Sequence, residues 1–70
     1  MFYFFERGST YVRCEVRHVA DSTACEIAIT EEGSPECVET YPTWEAAQER
    51  WAALTQHLTE DGWKGPIGRE

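Results

Sequence analysis

The sequence is short of positive charge. Its 70 residues hold six Lys and Arg against 13 Asp and Glu, a net charge of −7 at pH 7. Phosphate binding rests on clustered cations, so this balance argues against duplex nucleic acid and anionic membranes as partners. The acids are spread from Glu6 to Glu70 with Arg interspersed. That is a solvated surface rather than the dense patch of a nucleic-acid mimic. No apolar run approaches the length of a membrane span. The N-terminal run from Met1 to Arg7 lacks the basic start and the long apolar core of a secretion signal. The three cysteines are an odd number and form no CxxC, a pattern expected of a reduced, cytoplasmic protein. There is no phosphate-cradling glycine loop, no HExxH and no GxSxG. A chain this short also has little room for a pocket of ligand size. Neither an enzyme nor a cofactor is expected.

What the chain does have is a periodic last third. Trp44, Ala47, Trp51, Leu54 and Leu58 follow one another at spacings of three, four, three and four. That places them on one face of a helix over about 44–61. Thr43 is placed as its N-cap and Glu45 suits the positive end of the helix dipole. Gly62 is placed to take the left-handed conformation that ends a helix. Counting back, Leu58 and Trp63 occupy the two positions that meet in a Schellman motif, which brings Trp63 onto the core. The segment 64–70 reads as an irregular tail.

Ahead of the helix the period is two. Strands are expected at about 2–6, 11–19, 24–30 and 36–41. Arg7-Gly8-Ser9, Ala20-Asp21-Ser22 and Glu31-Glu32-Gly33-Ser34 supply the turns. Pro35 opens the fourth strand and suggests an edge. The connections are short, so the expected fold is a single α+β domain: a four-stranded antiparallel β-meander followed by one C-terminal α-helix on one sheet face. Its inward set is Val12, Cys14, Val16, Cys25, Ile27, Ile29, Trp44, Trp51, Leu54, Leu58 and Trp63, with Phe2 and Phe4 or else Tyr3 and Phe5. Strand four is ambiguous in polarity, because Cys37 and Tyr41 share a face with Glu39.

One helix covers one face, and the other face must be explained. Tyr3, Phe5, Tyr11, Arg13 and Arg17 form the candidate interaction surface, among Ala24, Ala28, Val38, Glu15 and Glu26. A moderately apolar face on so small a domain points to association, and two-fold homodimers are the commonest outcome. The expected function is a non-enzymatic protein-interaction module, acting as a homodimer through this face or an edge strand. The alternative is a weak single-stranded nucleic-acid binder using Tyr11, Arg13 and Arg17, against which Glu15 and Glu26 count electrostatically. The element order resembles that of the transcriptional-coactivator and whirly single-stranded-DNA-binding proteins, whose fold implies a dimer with a curved sheet. No sequence motif carries that resemblance, so no binding residue transfers. The chain is also similar to short bacterial proteins with an aromatic first strand and a terminal helix ending in Asp-Gly-Trp, to which no activity attaches.

Cys14, Cys25 and Cys37 fall on successive strands, and with His18 or His57 they could be imagined as a zinc site. Zinc ligands usually come in close pairs from turns, so the cysteines read instead as small core hydrophobes and no metal is expected.

Overall fold

A computed structural model describes residues 2–69. The order of elements is β1 (Phe2–Arg7), β2 (Thr10–His18), β3 (Cys25–Glu31), β4 (Cys37–Tyr41), α1 (Trp44–Glu60) and β5 (Lys64–Arg69). The architecture is α+β, with an antiparallel sheet and one helix. The sheet has five strands in the order β4-β3-β2-β1-β5, not four. This corrects the expected meander-plus-helix order. The segment after the helix is a strand, not an irregular tail, and Glu70 of that tail lies outside the described residues. The likeness of element order to the coactivator and whirly proteins therefore stops at the helix.

The correction has a physical cause. Without β5, strand β1 would be a long aromatic edge with unpaired backbone groups, which solution conditions disfavour. β5 pairs antiparallel with β1, setting Gly68 opposite Tyr3 and Ile67 opposite Phe4, with a register shift between Phe4 and Glu6. Pro66 lacks a backbone donor and is tolerated because β5 is itself an edge. At the opposite edge lies β4, as Pro35 suggested.

The helix leaves β4 at one edge and delivers the chain to β5 at the other, so it crosses the whole sheet. Thr43 caps it, its Oγ1 accepting from the Ala46 N–H at 3.2 Å. At the far end Gly62 has φ +91°. The Trp63 N–H donates to Leu58 O at 3.0 Å and the Gly62 N–H to Thr59 O at 3.1 Å. These are the two bonds of the expected Schellman motif. Trp63 packs against the core cluster that contains Leu58. Arg7 locks this corner by donating from Nη1 to Asp61 O at 3.0 Å and to its Oδ2 at 2.9 Å. Its guanidinium lies 4.5 Å from the Trp63 ring centroid.

Phe5, Val12, Cys14, Ile27, Leu54 and Leu58 form the buried cluster, with Val16, Ile29, Tyr41, Trp51 and Trp63 packed around it. One expectation about the helix side is corrected. Trp44 is 41% exposed and stacks on His18 at the rim instead of entering the core. It sits in the first turn, over the last residue of β2, and borders an open cleft with Tyr3, Val16 and Trp51. Arg50 reaches from the helix to β4. Its Nε donates to Glu39 Oε1 at 2.8 Å and its Nη2 to Oε2 at 3.1 Å, while the Tyr41 hydroxyl donates to Oε1 at 2.6 Å. This resolves the polarity of β4: Glu39 faces the helix because a guanidinium meets it there. The hydrogen bond from Arg50, and then that from Tyr41, holds the Glu39 carboxyl below its ordinary value.

Candidate interaction face of the sheet

Alternation along β1 decides which aromatics are left for function. Phe5 is fully buried beneath the helix, with its ring centroid 6.1 Å from that of Trp51. Tyr3 lies 4.9 Å from the same indole. Both point toward the helix, so two of the five expected surface residues belong to the other layer. Phe2 and Phe4 take their place on the outer face. Sequence reasoning kept both parities open because all four residues are aromatic, and only the docking of Trp51 selects one.

The other three expected residues, Tyr11, Arg13 and Arg17, are on the outer face. The register sets Phe4 opposite Arg13 and Glu6 opposite Tyr11. On the far side of β1, Phe4 meets Ile67. Phe4, Glu6, Tyr11 and Ile67 line one shallow hollow across β5, β1 and β2. Ile67 is the residue that sequence reasoning missed. Its signal was one isolated apolar side chain between glycines and a proline, too little for a period. Tyr11 is 50% exposed, and Val38 at the β4 edge is 42% exposed. Between them Ala28 is only 2% exposed, although no second layer of the described residues covers it. Glu15 and Val38 flank it in register and shield its methyl.

The charges on this face are largely paired within it. Arg17 Nε donates to Glu26 Oε1 and its Nη1 to Glu15 Oε1, both at 3.0 Å. The hydrogen bond to Glu26 leads the effects that raise the Arg17 pKa further, so the guanidinium stays charged. Arg13 lies 5.4 Å over the Phe2 ring. Arg13, Arg17 and Lys64, which pairs in register with Glu6, are set against Glu6, Glu15, Glu26 and Glu36, whose carboxylate also acts on Arg17, so cations and carboxylates are mixed across this face.

The cysteines sit on the inner face. Cys14 and Cys37 both pair in register with Ile29, from opposite sides, and Cys25 is opposite His18. Cys14 and Cys25 are buried and Cys37 is exposed. Burial raises the Cys14 thiol to about 11, so it holds its proton at neutral pH. Cys25 Sγ is 3.5 Å from His18 Nδ1. Among the described residues no group of three His, Cys, Asp or Glu is placed to hold a metal ion, and no helix is long and apolar enough to cross a membrane.

This arrangement gives an expected outcome for thiol chemistry. In the native protein a thiol-reactive disulfide such as dithiobis(nitrobenzoate) should titrate Cys37 promptly. Cys14 and Cys25 should react only at the rate of unfolding. Three thiols reacting together without denaturant would contradict the burial of the inner face.

No protein-family model, curated protein or solved structure matches the chain.

Proposed function

We propose that this chain is a small protein-interaction module that pairs with a second copy of itself through the outer face of its sheet. It carries no catalytic chemistry of its own and works in a reducing, cytoplasmic setting, where its unpaired thiols persist. The observation that carries the reading is the hollow that Phe4, Ile67 and Tyr11 line with Glu6, beside the Arg13-capped ring of Phe2, on a face that no layer of the described residues covers.

Three considerations favour a second copy as the occupant. The chain's acids would repel one another in most pairings, but on this face Arg13, Arg17 and Lys64 are interspersed among the carboxylates. Arg13, which lies over the Phe2 ring, can be set by a two-fold mate against a carboxylate of the other copy, while Arg17 neutralises Glu15 and Glu26 within each copy. The area is adequate for a weak dimer. Five strands about 4.8 Å apart and about six residues long give a face of roughly 500 Å² per copy. That lies below the roughly 800 Å² per partner of a standard stable interface, so micromolar dissociation is expected.

The experiment is sedimentation equilibrium between about 5 and 500 μM. A monomer–dimer equilibrium with a midpoint in the micromolar range is expected, and Phe4→Glu should weaken it at least tenfold with the circular dichroism spectrum unchanged. A wild-type chain that stays monomeric across the range would defeat the reading. So would a dimer indifferent to Phe4→Glu.

Single-stranded nucleic acid is disfavoured by the same geometry. Arg17 is already bridged to two glutamates, and phosphates approaching Arg13 would meet Glu15 beside it.

A further inference from the structure

On the opposite side of the sheet, the geometry points to a binding site for a small quaternary ammonium ion, in the cleft between Trp44 and Trp51. The cleft is lined by Tyr3, Val16, Trp44, Ala47, Gln48 and Trp51, and has a volume of about 230 Å³. It arises from the helical spacing. Trp44 and Trp51 are seven residues apart on one face, about 10 Å along the axis. Ala47 lies between them and is too short to fill the gap, and it is buried at the floor. The helix crosses the sheet from the β4 edge to the β5 edge, so no further side chain of α1 closes this corner.

The lining selects the ligand. Three of its six side chains are aromatic, and none is charged. Aromatic faces attract cations, tryptophan most strongly. This chain already satisfies two other rings with its own arginines, Arg7 over Trp63 and Arg13 over Phe2. The two arginines adjacent in sequence to cleft residues are engaged elsewhere: Arg50 is held by both oxygens of Glu39 and Arg17 by Glu26 and Glu15. Among the described residues, no guanidinium or ammonium lies over Trp44 or Trp51. Trp44 is fixed by stacking on His18, with ring centroids 5.5 Å apart and 23° between planes. Trp51 is fixed by Tyr3. Both walls are therefore set before a ligand arrives, which lowers the ordering cost of binding. The net charge of −7 favours a cation over an anion at long range. An alkylated ammonium suits the site better than a primary one. It is weakly hydrated, and the lining holds no charged group to replace the hydrogen bonds that a primary ammonium would lose. A free solute is the occupant, because a cleft of about 230 Å³ holds one small headgroup.

The test is titration of the full chain with choline chloride, read by tryptophan fluorescence at constant ionic strength. Its neutral isostere 3,3-dimethylbutan-1-ol and sodium chloride serve as comparisons. Choline should give a saturable change in the millimolar range, at least tenfold tighter than the isostere. Gln48→Lys, at an exposed position, should weaken it at least tenfold without altering the fold. Trp44→Ala, also at an exposed position, should abolish it. Equal binding of choline and the alcohol would make the cleft a plain apolar gap and overturn the inference. A choline response no larger than that to sodium chloride, or one unaffected by Gln48→Lys, would overturn it as well. None of these results depends on the oligomeric state.

Discussion

Phe5→Ala should leave the chain without a cooperative unfolding transition at 25 °C, whereas Phe4→Ala, one residue away, should cost about 1 kcal/mol or less. Phe5 is fully buried at the centre of the core cluster, under Trp51. Truncating a buried phenylalanine costs about 3–5 kcal/mol, the lost transfer energy plus the cavity left behind. A domain of this size has a total stability of about that magnitude, so one such loss removes it. Phe4 faces the other way, opposite Arg13 and Ile67, with no layer of the described residues above it. Urea titration followed by circular dichroism separates the two variants. The reverse ranking would mean that β1 presents its other face to the helix, and the interaction surface would then have to be redrawn.

Gly65→Ala should cost about 2–5 kcal/mol, and Gly68→Ala almost nothing. Gly65 has φ +147°, and a β-carbon there would lie 2.7 Å from the carbonyl oxygen of Phe4 and 2.9 Å from Cδ2 of Phe5. Holding a side chain in that backbone region costs about 1–3 kcal/mol, and the overlap with a neighbouring strand costs a similar amount. The register shift between β1 and β5 falls at this place, where Gly65 lets the two backbones close against Phe5. A β-carbon on Gly68 meets nothing within 4 Å. Thermal denaturation of the two variants measures the difference. If Gly65→Ala melts like the wild type, β5 is not docked as described, and Ile67 leaves the outer face with it.

These two positions also mark where sequence reasoning succeeded and where it stopped. Strong periodicity set the helix, and the count from Gly62 located the bonds that close it on Trp63. Alternation assigned β2 and β3 to their faces, because only one parity in each is apolar. In β1 both parities are aromatic, so the choice between Phe2/Phe4 and Tyr3/Phe5 depends on a tertiary partner that the local pattern does not contain. In β4 the carboxylate of Glu39 obscured the pattern, because its neutralising partner Arg50 is 11 residues away. In β5 the glycines and proline that make close pairing possible are the residues that mark a loop when read locally. Trp44 obeyed the helical period but sits at the rim of the sheet, since a period specifies a direction and not what lies beneath it. For the candidate interaction face, Tyr11, Arg13 and Arg17 were identifiable from alternation, and Ile67 was not.

We propose that two copies meet through Phe4, Ile67 and Tyr11. Isotope-filtered NOE spectroscopy on an equimolar mixture of ¹³C-labelled and unlabelled chains, at a concentration where dimer is populated, tests it most directly. Cross-copy contacts between the Ile67 methyl groups and the rings of Phe4 and Tyr11 are expected. Contacts confined to Cys37–Tyr41 at the β4 edge or to the helix surface, or none at all, would contradict the claim.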